Sequence, residues 1–163
     1  MKGLKKNIIV GISDAKLARS SAEVIVTYSL GSCIGICLYN QRLKLGGMLH
    51  FQLPDSKLDE NKAQLRPFMF ADTGLARLLE GLAALGSQKH DLIVKIAGGA
   101  AMQNGPANFE IGKRNALAIR KALWKAGLMI KAADLGGEAA RNLYLDMETG
   151  AVTVKSAGVT KEL

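Results

Sequence analysis

Cysteine, histidine and a hydroxyl are the working parts of a thiol hydrolase, and residues 27–50, TYSLGSCIGICLYNQRLKLGGMLH, hold all three. Cys33 closes a Leu-Gly-Ser-Cys corner, where backbone N–H groups outside a strand ladder are free to face a bound carbonyl oxygen. A thiolate there can attack an amide carbon while those N–H groups, with Gly31 and Ser32 as the candidates, hold the oxyanion. His50 can take the thiol proton and hand it to departing ammonia. Thr27 can accept a hydrogen bond from the other imidazole nitrogen and so fix ring and tautomer, although a neutral hydroxyl stabilises imidazolium less than a carboxylate does. Each residue also has a plainer reading: cysteine is often a small buried hydrophobe, and a histidine at a strand end or a threonine within a strand is commonly structural.

The remaining cysteine and histidine fit the plainer readings. Cys37 lies mid-strand among apolar residues, and His90 sits in the charged segment SQKHD. Four positions of extended chain separate Cys33 from Cys37, too far for a comfortable disulfide, so both are expected as free thiols in a reducing cytoplasm. An activated nucleophile at Cys33 would ionise below an ordinary thiol.

The catalytic reading needs elements that converge. Residues 7–12 read as a short β-branched strand and 13–21 as a polar, partly basic connection. Strands at 23–28, 33–39 and 45–51, separated by the 29–32 corner and a polar turn at 40–44, suggest an antiparallel meander in which Gly31 supplies the corner's backbone freedom. A hairpin centred between Gln41 and Arg42 sets Cys33 opposite His50, and one centred on Leu30 sets Thr27 opposite Cys33. All three side chains would then share one sheet face, and a one-residue slip in either hairpin would undo this.

Residues 53–67, polar and bounded by prolines, read as a long exposed loop that is either simply solvated or a lid beside the His50 end. Leucines 75, 78, 79, 82 and 85 mark a helix over 72–85, with Asp72 or Thr73 as its cap and Gly86 at its end. The strand at 92–97 leads into Gly98-Gly99-Ala100-Ala101, which lacks the spacing of a phosphate loop and suits a close backbone approach. A second helix over 112–126 has one apolar face and, opposite, Lys113, Arg114, Arg120, Lys121 and Lys125 around Leu117 and Trp124. That pair either packs under another part of the domain or anchors an acidic helical partner. A strand at 128–132, a turn at 134–137, a hairpin of 142–147 with 151–156 and a frayed tail from 158 complete the chain.

A chain of 163 residues is expected to form one domain, 1–163, of α+β class: a layered sandwich of mainly antiparallel or mixed sheet with two principal helices outside. The net charge of +8 favours an acidic partner. Nucleic acid is disfavoured, since aromatic residues are few and the cations are dispersed. The apolar run 8–12 is too short for a signal-peptide core, and no stretch is long enough to span a bilayer.

The segments VIVTYSLGSCIGICLYN, GGMLHFQLPDS, FADTGLARLL, KIAGGAAM, IGKRNA and DLGGEAARNLYLDMETGAV together resemble the chemoreceptor glutamine deamidase family, CheD, in order and over nearly the whole chain. The resemblance implies a deamidase fold like that of cysteine-dependent toxin deamidases, with Cys33, His50 and Thr27 as catalytic residues. It implies hydrolysis of selected glutamines to glutamate on the cytoplasmic helices of methyl-accepting chemotaxis receptors, and regulation in some bacteria by a phosphatase, CheC. No metal or cofactor is expected, and the location implied is cytoplasmic, at receptor arrays through protein contacts. Tyr28-Ser29 stands where the family pattern has Leu-Gly. The rival expectation is a weak or silent module that binds receptor or phosphatase and acts by occupancy.

Overall fold

The computed structural model describes residues 3–101 and 110–163. Met102, the last residue of the KIAGGAAM segment, lies outside them, as do Met1 and Lys2 of the basic N-terminus.

Among the described residues, ten strands form two five-stranded sheets. The strands are β1 (Lys6–Val10), β2 (Asp14–Ala18), β3 (Glu23–Leu30), β4 (Ile34–Asn40), β5 (Leu45–Phe51), β6 (Leu92–Gly98), β7 (Ile130–Leu135), β8 (Arg141–Asp146), β9 (Val152–Ser156) and β10 (Val159–Glu162). The first sheet runs β1-β3-β8-β9-β10 and the second β2-β5-β4-β6-β7. Between the sheets lie Ile25, Leu143 and Leu145 of the first with Cys37, Tyr39 and Met48 of the second. The other face of the second sheet, with Ile34, Ile36, Leu38 and Leu49, packs on Leu75, Leu78 and Leu82 of α2 (Ala71–Ala84) and on Ile119 and Leu123 of α3 (Ile111–Lys125). The expected α+β sandwich with two principal helices outside is therefore observed. Strands β4 and β5 are buried along their whole length because both of their faces are covered, and this is why they read as continuous apolar runs.

Several expectations fail. Strand β2, within the supposed connection 13–21, pairs antiparallel with β5; its DAKLA sequence has the alternation of an edge strand but little apolar signal. The 53–67 segment holds a six-residue helix, α1 (Glu60–Leu65), capped by Asp59, whose mostly polar residues offer no apolar stripe to detect. Asp72 and Thr73 do not cap α2. Asp72 accepts from the backbone N–H and hydroxyl of Ser56, and Thr73 donates to the Pro67 carbonyl, so both tie down the preceding segment. Asp134 and Leu135 end β7 rather than forming a turn, which Gly136 and Gly137 make. The tail is not frayed: β10 pairs with β9.

The meander is replaced by a change of sheet. Of β3, β4 and β5, only the last two form a hairpin; β3 pairs parallel with β1 and antiparallel with β8 as far as Leu30, so the 31–33 segment crosses from the first sheet to the second. The left-handed residue is Ser29 (φ 59°), at the irregularity near the end of β3 that precedes the crossing, and not Gly31, which explains why a glycine suits that position. Ser29 is held there by its N–H, which donates to Asn142 Oδ1 at 3.0 Å. Left-handed backbone costs a residue with a Cβ about 1–2 kcal/mol, partly offset here because glycine loses more entropy on folding. Ser29→Gly is therefore expected to raise unfolding stability by up to about 1 kcal/mol with activity retained, read as a shifted urea midpoint.

Candidate active site

The corner is built from three carbonyls turned inward. Gly31 O accepts from Ala100 N–H at 2.8 Å, Cys33 O from Gly99 N–H at 2.9 Å, and Ser32 O from the Asn115 side-chain amide at 2.9 Å. With these carbonyls held by the residues that follow β6 and by α3, the corner is fixed from behind. The approach is as close as the glycine pair suggested, since a Cβ on Gly98 (φ 121°) would lie 2.3 Å from Cys33 O. Gly98→Ala should thus displace the nucleophile's own peptide as well as strain β6, lowering the thermal midpoint and activity together.

His50 reaches the corner by a register two positions from the expected one. It sits opposite Gly35 rather than Cys33 in the β4–β5 ladder. Because side chains alternate with period two, this shift leaves it on Cys33's face, where a one-residue slip would not. A Cβ on Gly35 would meet Leu143 at 2.6 Å, so the missing side chain leaves the space that brings the first sheet down beside His50. Thr27 then meets His50 across the sandwich and not within a hairpin.

Thr27 Oγ1 lies 2.8 Å from Val10 O and 2.7 Å from His50 Nδ1. A hydroxyl has one proton, and Val10 O can only accept. Both contacts carry a proton only if Thr27 donates to Val10 and accepts from Nδ1–H. The imidazole is therefore the Nδ1–H tautomer, with its lone pair on Nε2, and Nε2 is buried with no hydrogen-bond partner among the described residues. That is the arrangement of a proton acceptor awaiting a donor.

The charges of the pair differ from the expectation. Burial lowers the His50 pKa to about 4, with the carboxylate of Asp14, its ladder partner in β2, pulling the other way. Burial pushes the Cys33 thiol up, opposed by its own backbone N–H, which favours the thiolate. Cys33 is therefore not a depressed-pKa thiol at rest. Thiol and imidazole are both neutral, and the proton must leave as sulfur attacks.

Cys37 is fully buried, its thiol driven up to about 12 by desolvation, and His90 is exposed beside Asp91. Both cysteines are free. Leu117 and Trp124 do not pack under the domain: 62% and 79% of their surfaces face solvent on α3. Among the described residues no group of three or more His, Cys, Asp and Glu side chains could hold a metal ion. Sequence reasoning missed Val10, Asp14 and Asn115. Val10 acts through a carbonyl, which leaves no trace in sequence, Asp14 lay in the unrecognised strand, and Asn115 was one polar residue near the start of an otherwise ordinary helix.

The model of one family, described as CheD chemotactic sensory transduction, matches residues 52–156. A Solibacter usitatus protein named "Probable chemoreceptor glutamine deamidase CheD" is 42% identical over 97% of this chain and 94% of its own length. Its Syntrophus aciditrophicus counterpart, "Probable chemoreceptor glutamine deamidase CheD 1", is 43% identical over 93% of this chain and 95% of its own. A Clostridium botulinum relative with the same name as the first is 44% identical over 92% and 93%. The family match begins two residues past His50, but these relatives extend over nearly the whole chain, the corner included.

Proposed function

The chain belongs to the CheD family, and from that premise we propose that it deamidates selected glutamine side chains of chemoreceptors through Cys33, His50 and Thr27, carried by one domain over 1–163. The observation that supports this reading most directly is the buried, unpartnered Nε2 of a histidine whose other nitrogen is fixed by Thr27. Cys33 Sγ attacks the amide carbon as its proton passes to Nε2. The Cys33 N–H and its corner neighbours, Gly31 and Ser32 being the candidates, hold the oxyanion. His50 then protonates the nitrogen, ammonia leaves, and an acyl thioester remains. Water, giving its proton to Nε2, attacks the thioester; glutamate forms and the thiol is restored. No step calls for a metal or cofactor.

The substrate segments we propose are acidic cytoplasmic helices of the receptors, which suit a chain of net charge +8. A nucleophile at a crossing between two sheets is reachable by a bulky protein side chain. Leu117 and Trp124, among the cations of α3, are proposed to anchor such an acidic helix or a CheC-type phosphatase. No helix among the described residues is long and apolar enough to cross a membrane, and we place the protein in the cytoplasm, held at receptor arrays by protein contacts. Incubation of a receptor fragment with the protein, followed by mass spectrometry, should reveal discrete glutamine-to-glutamate conversions with stoichiometric ammonia. Binding of the fragment without any conversion would favour the occupancy module instead.

A further inference from the structure

Two buried side-chain atoms have no hydrogen-bond partner among the described residues: His50 Nε2 and Asn115 Oδ1. An unmet buried acceptor costs about 1–3 kcal/mol, so a protein carries few without use for them. Asn115 is bonded to the two chain segments that carry Cys33 and His50. Asn115, fully buried on the second turn of α3, gives one Nδ2 proton to Ser32 O and the other to Gln52 O, each at 2.9 Å. Ser32 precedes the nucleophile, and Gln52 lies two residues beyond His50. Since carbonyls only accept, the amide cannot be turned over without placing oxygen against oxygen. Its Oδ1 is thereby locked as an acceptor, within about 5 Å of both carbonyls by bond lengths alone. Gly112 lets α3 come this close, because a Cβ there would lie 2.5 Å from Ala100 O.

One orphan, Nε2, is the acceptor to which the proposed reaction delivers the thiol proton. For the other, we propose that Asn115 Oδ1 accepts a hydrogen bond from the carboxamide –NH2 of the substrate glutamine, making Asn115 a specificity residue for primary amides. This rests on the reading that Cys33 attacks a glutamine amide. The chemistry discriminates in two directions. A γ-methyl ester has no N–H to offer, and a glutamate carboxylate presents only lone pairs to Oδ1, so the product is repelled where the substrate is held. In the reaction the same bond orients the leaving nitrogen while its lone pair takes the proton from His50.

Replacing Asn115 also frees Ser32 O and Gln52 O, which can loosen the corner, so a simple loss of rate would not separate recognition from positioning. The ratio of two substrates does. The full-length protein is assayed on a receptor fragment bearing glutamine and on the same fragment bearing glutamate γ-methyl ester. Loosening slows both reactions alike, whereas losing the acceptor slows only the amide. Asn115→Ala should lower the amide-to-ester ratio of kcat/KM by about 10–100-fold. Asn115→Asp, which keeps an acceptor but loses the donors, should slow both reactions with the ratio much closer to wild type. A second measurement does not depend on ester turnover. In the inactive Cys33→Ala protein, the glutamine fragment should bind more tightly than its glutamate form, and adding Asn115→Ala should erase that preference. Equal loss on both substrates in Asn115→Ala, or a binding preference indifferent to Asn115, overturns the proposal. Amide hydrolysis surviving Cys33→Ala would instead sink the reading beneath it.

Discussion

Cys33→Ala releases no measurable ammonia from a receptor fragment: the expected loss is at least about 10^3-fold, because on the proposed mechanism the Cys33 thiol is what forms the acyl intermediate. The fold should survive, since the thiol is only partly buried and the corner's carbonyls are held by Ala100, Gly99 and Asn115 regardless of that side chain. Cys37→Ala is the control. It opens a small cavity between the sheets, lowering stability by about 1–2 kcal/mol while leaving turnover near wild type. Alkylation is a weaker test here than the sequence suggested. With the Cys33 thiol pushed above the ordinary 9.0 by burial, a working nucleophile need not label quickly at neutral pH. Selectivity for Cys33 over the fully buried Cys37 then reports access, not activation. Ammonia release retained by Cys33→Ala would remove the thiol from the mechanism.

What was legible in the sequence was that Cys33 and His50 fall on one face of the second sheet; what was not was that Thr27 reaches His50 from the other sheet. Cys33 immediately precedes β4 and His50 lies in β5, strands joined by a short turn, and local pairing with period two tolerates the two-position error in register. Thr27 meets His50 through long-range layering instead. Its strand belongs to the first sheet, and the 31–33 segment that follows is a crossover that no hairpin arithmetic describes. Asn115 marks the same limit, since its partners Ser32 and Gln52 lie 83 and 63 positions away. The charge state was out of reach for a related reason. Cysteine beside histidine suggests an ion pair, but desolvation depends on which sheets and helices cover the two groups, and here it favours the neutral pair. The departure at Tyr28-Ser29 was visible at once, although its consequence needed the backbone angle: a strained residue beside the site and no loss of the crossing.

His50→Asn carries the second large effect, and it separates catalysis from stability through pH. Removal of the base should cost about 10^2–10^4-fold in kcat/KM. In the wild type, the reactive form is neutral thiol with neutral imidazole, so kcat/KM should stay level from just above the imidazole value of about 4 up to the raised thiol value beyond 9.0. An acid limb near 6.5 would show that the ring is not desolvated as described. The same shift has a folding consequence. The folded pKa is lowered, so between 6.5 and about 4 the unfolded chain binds the proton that the folded protein refuses. The stability associated with the neutral ring is complete above 6.5 and is lost progressively as pH falls through that window, by about 3 kcal/mol at its lower end. Urea midpoints measured across the window should fall with pH in the wild type and fall less steeply in His50→Asn, which has no ring to protonate. Thr27→Val gives the intermediate case. It keeps the ring but removes the acceptor that holds Nδ1–H, leaving Nδ1 and Val10 O without a partner from residue 27. Its loss of rate should be smaller than that of His50→Asn, while its stability falls by about 1–3 kcal/mol at neutral pH. A catalytic histidine that owes its tautomer to a buried threonine thus leaves two independent signatures, an acid limb near 4 and an acid-labile fold, and the two must move together when the ring is replaced.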